Sequence, residues 1–269
     1  MKQFNELVTL LQSLRMNRMM ETLETRNRQA LDEKLAPIEF LTLLLQDEVA
    51  RREQVKLQKR LRQASFHSLK TIETFNFQVT PNLNRTLMNE LMTCRFIMEK
   101  APVLIAGPTG TGKSHLAQAI GHQAVRQGYE VFFSTQVQLT ASMVRARLSG
   151  VHARRMKLLK WKDLIILDDF WIKPLQSPYY EDLHELIAER YEKGAVMVTS
   201  NLAFKEWREA FTDNKLLGAA TVDRMMHGAY QIVLDGESYR KPRPQEIEGW
   251  KSKKNGPKLG IIELLKYSK

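Results

Sequence analysis

The sequence predicts an α/β protein built on a central, mainly parallel sheet flanked by helices and preceded by a small all-helical region. Three observations predict it. From Ala101 onward, short apolar runs alternate with helical stretches. A glycine-rich run, Gly107 to Ser114, follows the first apolar run and leads into a helical stretch. Another apolar run, Leu164 to Leu167, ends in the acidic pair Asp168–Asp169.

The helical region comes first. Residues 1–60 contain no glycine and a single proline, Pro37. Apolar residues recur there at helical spacing: Leu7, Leu10, Leu11 and Leu14, then Met19, Met20 and Leu23, then Phe40, Leu41, Leu44, Leu45 and Val49. About three helices follow from this pattern, with Pro37 opening one of them where its missing N–H costs nothing. Residues 66–82 break the pattern and read as a mostly extended linker, followed by a helix over about Leu83 to Met98.

The strand candidates are Val103–Ala106, Val131–Ser134, Leu164–Leu167, Val196–Thr199 and Tyr230–Leu234. Each is nearly continuous in apolar residues, as strands buried on both faces of a parallel sheet are. The organisation expected is a helical bundle at 1–65, the linker at 66–82, an α/β domain at 83–240 and a basic tail at 241–269.

Bulk properties narrow the class. The formal net charge of +11 suits an acidic partner such as nucleic acid. The single cysteine, Cys94, excludes an internal disulfide framework and any all-cysteine metal site. The six histidines fall at no metal-ligand spacing. No signal-like segment and no run of about eighteen apolar residues is present, so a cytoplasmic protein without a membrane partner is expected. Trp161 and Trp207 are expected to pack, as are the methionine clusters.

Gly107-Pro108-Thr109-Gly110-Thr111-Gly112-Lys113-Ser114 fits G-x-x-x-x-G-K-[ST] in its strand-then-helix context, the signature of a P-loop. Glycines allow the backbone to turn sharply and aim its N–H groups at phosphate oxygens. Lys113 is suited to the β and γ phosphates of ATP, Ser114 to magnesium, and His115 follows on the helix within reach of the nucleotide. Asp168, at the C-terminal end of a buried strand, is the second magnesium group. Asp169 is placed to orient or deprotonate the attacking water. Asn201, just past another strand, reads either as a bridge between that water and the γ-phosphate or as the cap of the next helix. Arg224 and Arg240 read either as charge-neutralising groups for the transferring phosphoryl or as surface ion pairs, Arg224 with Asp223.

Taken in order, GPTGTGKSHLA, LIILDDF, MVTSNLAFKEW, DRMMHGA and GESYR resemble the IstB-like ATPases, helper proteins of insertion-sequence transposition. These are related to helicase loaders of the DnaC type within the AAA+ superfamily of P-loop NTPases. The resemblance spans nearly the whole chain. It implies an ATPase that oligomerises on duplex DNA as a ring or filament and assists a partner transposase in target selection and integration. It further implies that Asn201 is a first sensor, Arg224 an arginine finger offered to a neighbouring subunit, and Arg240 a second sensor. The sequence departs from the family at Asp169, where glutamate is usual, and at Trp171 and Lys173.

Two basic segments are candidates for DNA. One contains Arg145, Arg147, Arg154, Arg155, Lys157 and Lys160, on two helices broken at Ser149-Gly150. The other contains Arg51, Arg52, Lys56, Lys59 and Arg60 at the end of the helical region. Neither interleaves stacking aromatics, so backbone contacts to phosphate are expected rather than base reading. A solvated charged face is the alternative for each. Other functional readings are a replicative helicase loader binding single-stranded DNA, a P-loop kinase, and a DNA-binding adaptor that holds ATP without turnover.

Overall fold

The computed structural model describes residues 2–78, 80–171, 177–209, 211 and 214–235. The segment that holds Arg240, and the position of Lys173, lie outside the described residues.

Three helices open the chain: α1 (Lys2–Ser13), α2 (Asn17–Glu33) and α3 (Pro37–Ala64). Pro37 occupies the first turn of α3, and the Ala36 amide donates to the Glu39 carboxylate at 2.8 Å, which closes that end. Lys34 and Ser65 end α2 and α3 in the left-handed region. Glu48 accepts from the Arg18 amide at 2.8 Å and from Arg52 Nε at 2.7 Å, so one buried carboxylate fastens the start of α2 to α3. Arg26 and Asp47 add a bidentate pair between the same helices.

The apolar series of this region is only partly buried. Leu11, Met19, Leu23 and Leu44 form its small core, whereas Leu7, Leu10, Leu14, Leu41, Leu45 and Val49 are exposed. Three helices can bury one face each toward the others, and the second stripe of each has nothing over it among the described residues.

The stretch expected as an extended linker contains a 3₁₀ turn at Ile72–Thr74 and packs closely on the protein. The helix expected over Leu83–Met98 is two helices, α4 (Arg85–Met92) and α5 (Arg95–Met98), because Cys94 turns left-handed between them. Asn84 caps α4 by accepting from the amides of Thr86 and Leu87.

Five strands follow: β1 (Val103–Ala106), β2 (Val131–Thr135), β3 (Leu164–Phe170), β4 (Ala195–Ser200) and β5 (Tyr230–Val233). They form one all-parallel sheet in the order β2-β3-β4-β1-β5. The connecting helices are α6 (Lys113–Arg126), α7 (Gln136–Leu148), α8 (His152–Lys160), α9 (Tyr179–Arg190) and α10 (Lys215–Met226).

Both faces of β1 to β4 are buried, by alternate residues, whereas the edge strand β5, expected to be buried on both faces, exposes Gln231 and Val233. Val103, Ile105, Phe133 and Ile166 face α6, the 66–83 stretch and the end of α3. Leu104, Phe132, Ile165 and Val198 face α7 to α10. A Cβ on Gly121 would stand 2.6 Å from Ile166 Cδ1 and 2.8 Å from Phe66, so this glycine is what lets α6 lie close between them. Trp207 is fully buried as expected, but Trp161 is 76% exposed at the end of α8. It follows the last turn of α8 and faces away from both cores.

Candidate nucleotide-binding site

In a parallel sheet, the loops at the carboxyl ends of the strands surround the ligand crevice. Gly107 leaves β1 with φ of 152° and donates its amide to the Ser200 carbonyl at 3.2 Å. Gly110 and Gly112 also have positive φ, 89° and 95°, and Gly112 leads directly into α6. The loop is therefore anchored to the tip of β4 and delivers the N-terminus of α6 to the crevice. Thr111 braces it by donating to the Pro108 carbonyl at 2.9 Å. Lys113 lies along the loop, its ammonium donating to the carbonyls of Gly107 at 2.7 Å and Pro108 at 2.8 Å. Pro108 and Thr109 are exposed at the crest.

The acidic pair stands at the tip of β3. Asp168 is 3% exposed and accepts from Thr199 Oγ1 at 2.5 Å. Burial raises its pKa, and the charge of Asp169 adds to that; hydrogen bonds from Thr199 and Ser114 oppose it. The Ser114–Asp168 contact joins α6 to β3 and brings the two expected magnesium groups together. Asp169 is half-buried, left-handed at φ 52°, and sits at the register shift between Leu167 and Phe170. Its amide donates to Thr199 Oγ1 at 3.0 Å. Beyond it, the Ser200 hydroxyl donates to the Phe170 carbonyl and the Trp171 amide to Gln136 Oε1. Thus the departure from the family at Trp171 leaves a well-held backbone.

A hydroxyl and a carboxylate in contact are hard oxygen donors of the kind magnesium takes, alongside waters and phosphate oxygens. The residues present fit that ion.

Asn201 follows β4 at the same sheet edge and is exposed. It does not cap the next turn: the Ser200 hydroxyl accepts from the Leu202 amide, and Glu206 accepts from Ala203. His115 corrects one expectation. Its Nε2 lies 3.1 Å from both Thr74 Oγ1 and the Thr71 carbonyl, and its ring meets Phe75 edge-on. One step past Ser114, the helix turns it about 100° away, toward the 66–78 stretch.

Arg224 stands at the other edge of the sheet. It lines a cavity of about 270 Å³ with Lys100, Pro102, Gly194 and Gly228, residues that precede strands β1, β4 and β5. The alternative of an ion pair with Asp223 does not form; Asp223 pairs with Arg208 at 2.5 Å, and Arg224 donates to the Ala220 carbonyl.

The basic segments are less free than their sequence suggests. Arg147 pairs with Asp182, Lys160 with Glu185, and the Arg155 guanidinium lies over the Phe132 ring, half-buried. Arg145, Arg154 and Lys157 are exposed. On α3, Arg52 pairs with Glu48 and Lys56 with Glu53; Arg51 and Arg60 are half-buried and Lys59 is exposed.

Sequence reasoning missed Thr199 and Gln136 as parts of the site. Each is a polar residue at the end of an apolar run. Its partner becomes evident only once β3 is known to lie between β2 and β4.

Comparison with known proteins agrees with this geometry. The family model for IstB-like ATP binding proteins matches residues 9–246. The ATP-binding protein described for insertion sequence IS21 of Pseudomonas aeruginosa is 34% identical over 236 residues, 88% of this chain and 89% of the relative. One in an insertion sequence of Mycobacterium tuberculosis is 33% identical, covering 87% and 94%. Among solved structures, AMPPCP-bound DnaA from Aquifex aeolicus aligns with a TM-score of 0.53 at 23% identity, covering 62% of this chain and 50% of that one. DnaI aligns with a TM-score of 0.53 at 16% identity, covering 61% and 90%. At those identities the likeness is one of fold.

Proposed function

The chain belongs to the family of IstB-like ATP-binding proteins, and from that premise we propose that it is an ATP-hydrolysing regulator of DNA transposition. In this reading it assembles on duplex DNA and assists a partner transposase in target selection and integration.

The observation that carries the reading is the separation of Lys113 from Arg224. Lys113 follows the carboxyl end of β1; Arg224 lies beside residues that precede the strands. A four-residue strand is about 13 Å long, and loops extend it at both ends. Arg224 therefore cannot reach the phosphates of its own loop. An arginine so placed suits a neighbouring copy's nucleotide, which makes turnover depend on assembly.

Within one copy, the loop amides and Lys113 hold the phosphates, with Lys113 leaving the Gly107 and Pro108 carbonyls to do so. Ser114 and Asp168 would hold a magnesium ion, which would supply positive charge against the phosphates. Asp169 and Asn201 orient the attacking water. Aspartate at 169 reaches one methylene less far than glutamate, so slow turnover until DNA and a neighbour tighten the site is expected. Arg145, Arg154 and Lys157 supply phosphate contacts to DNA.

The test is ATP hydrolysis with and without long duplex DNA at two salt concentrations, for the wild type, Lys113→Ala and Arg224→Ala. Stimulation by duplex at low salt, loss in each variant, and partial recovery on mixing the two support a shared site assembled on DNA. Turnover indifferent to DNA, with normal Arg224→Ala, sinks the reading. Stimulation by single strands alone would favour a helicase loader instead.

A further inference from the structure

Thr199 lies at the tip of β4, fully buried, and is neither an acid nor a sensor in the reading above. Its hydroxyl makes two bonds of opposite sense. It donates to Asp168 Oδ1 at 2.5 Å and accepts from the Asp169 amide at 3.0 Å. A hydroxyl has one proton, so donation to the carboxylate leaves its lone pairs for the amide, and both bonds are satisfied at once.

The two acids need this support for different reasons. Asp168 is a buried carboxylate at the end of a strand, and its rotamer decides whether it meets Ser114. Asp169 has a left-handed backbone, uncommon for a residue with a side chain, at the place where β3 slips register against β4. Its amide, donated to Thr199 Oγ1, also bonds the Asp168 side chain, so the slip is tied to both. The slip is what turns the Asp169 side chain out of the sheet, leaving it half-buried while its neighbours Asp168 and Phe170 are buried.

We propose that Thr199 is a positioning residue that sets both acids of the site with one hydroxyl, fixing the Asp168 rotamer for magnesium and the Asp169 backbone for the water. The inference rests on the roles given above to Asp168 and Asp169. The methyl group of Thr199 packs in the sheet, but the hydroxyl is the functional part. Serine keeps it; alanine of nearly the same size does not.

The experiment compares Thr199→Ser with Thr199→Ala in the full-length protein, with Asp168→Asn as a control. Three quantities are read: the magnesium concentration that half-saturates tightening of a fluorescent ATP analogue, the kcat and KM of DNA-stimulated hydrolysis, and the thermal midpoint. Outer partners of metal ligands are generally worth about 10–100-fold in metal affinity or activity. In Thr199→Ala the magnesium half-point is expected to rise about tenfold and kcat to fall about 10–100-fold, with magnesium-free nucleotide affinity kept. Thr199→Ser is expected to return both to within about threefold of wild type.

If alanine and serine variants behave alike in magnesium dependence and kcat, at equal thermal midpoints, Thr199 only packs and the inference is overturned. Should the alanine variant prove too unstable to measure, Thr199→Cys against Thr199→Ser makes the same comparison, since a thiol is a weak donor of similar size. If Asp168→Asn itself leaves magnesium dependence unchanged, the assignment of Asp168 has failed. A neutral Thr199→Ala beside a defective Asp168→Asn fails the present inference alone.

Discussion

Arg190 Nη2 donates to the Ala195 carbonyl at 2.7 Å, closing the turn from α9 into β4 around a buried guanidinium. The other terminal nitrogen reaches the carbonyls of Leu159, Lys160 and Lys162, at the end of α8. One side chain thus joins α8, α9 and β4 at the edge of the sheet opposite the phosphate loop. Burial lowers its pKa to about 10, which still leaves it charged at neutral pH. Gly194 makes room for it, since a Cβ there would stand 2.5 Å from Nη2.

Leaving a buried acceptor without its donor costs about 1–3 kcal/mol. Arg190→Leu strands several carbonyls, so a loss of about 3 kcal/mol or more in unfolding free energy is expected. Urea unfolding of the nucleotide-free protein measures it. A midpoint equal to wild type would mean that water serves those carbonyls as well as the guanidinium does.

Gly107→Ala tests the phosphate loop through its backbone. The glycine has φ of 152°, and an added Cβ would lie 2.3 Å from the Leu234 carbonyl oxygen. That oxygen is backbone next to β5 and cannot swing away. The strained conformation alone costs about 1–3 kcal/mol, and relief requires moving the loop off β5. Nucleotide affinity is expected to fall by at least about tenfold, the equivalent of 1.4 kcal/mol. Titration with a fluorescent ATP analogue reads this; wild-type affinity would show that the loop can shift without harm.

The fold was legible because the strands are apolar runs, buried on both faces except at β5, where Gln231 and Val233 are exposed. Val103–Ala106 was located to the residue, since Ala101-Pro102 and Gly107 bracket it. The phosphate loop and acidic pair were legible for the same reason: they are contiguous in sequence. What was not legible depends on strand order or on helix faces. Thr199 meets Asp168 only because β4 lies beside β3. His115 follows Ser114 in sequence but turns to Thr71 and Thr74, because adjacent helical positions point in different directions. Arg190 looks like an ordinary charge at a helix end, and nothing in its sequence surroundings signals the cluster of carbonyls around it. Charge runs show no partners in sequence, whereas Asp182 and Glu185 on α9 take up Arg147 and Lys160.

Acid should loosen the contact between α6 and the stretch after α3. His122 stacks on Phe66 with 4.1 Å between ring centroids, and its Nε2 lies 3.3 Å from the Ser68 carbonyl. Burial lowers its pKa, and nearby Arg126 works the same way. The folded chain therefore binds this proton less readily than the unfolded chain. Stability from this site is full above the ordinary histidine value of about 6.5 and is lost as pH falls through the depressed folded value. His184, also lowered by burial and then by Arg224, adds in the same direction. Thermal midpoints measured from about pH 7.5 down to 5.5 should fall, and His122→Phe should make that fall shallower. An identical slope in the variant would assign the pH dependence elsewhere.

The basic helices divide into two sets that DNA binding can separate. Arg145, Arg154 and Lys157 are exposed, with no ion pair among the described residues. Arg147 shares the buried Asp182 with His152, and Lys160 pairs with Glu185 at 2.8 Å. A cation already paired must lose that partner to reach a phosphate, so it gains less from DNA than a hydrated one. Each phosphate contact removed lowers the slope of log affinity against log salt by about 1. Replacing Arg145, Arg154 and Lys157 singly with alanine should therefore weaken duplex binding at low salt, lower that slope by about 1 each, and leave the thermal midpoint unchanged. Lys160→Ala should change the slope little. Arg147→Ala should instead reduce stability, because it leaves buried Asp182 with His152 as its one remaining basic partner among the described residues. Fluorescence anisotropy with a labelled duplex at several salt concentrations, alongside melting curves, distinguishes the sets. If Lys160→Ala lowers the slope as much as Lys157→Ala does, the intramolecular pair is too weak to withhold its cation, and the whole basic stretch faces DNA.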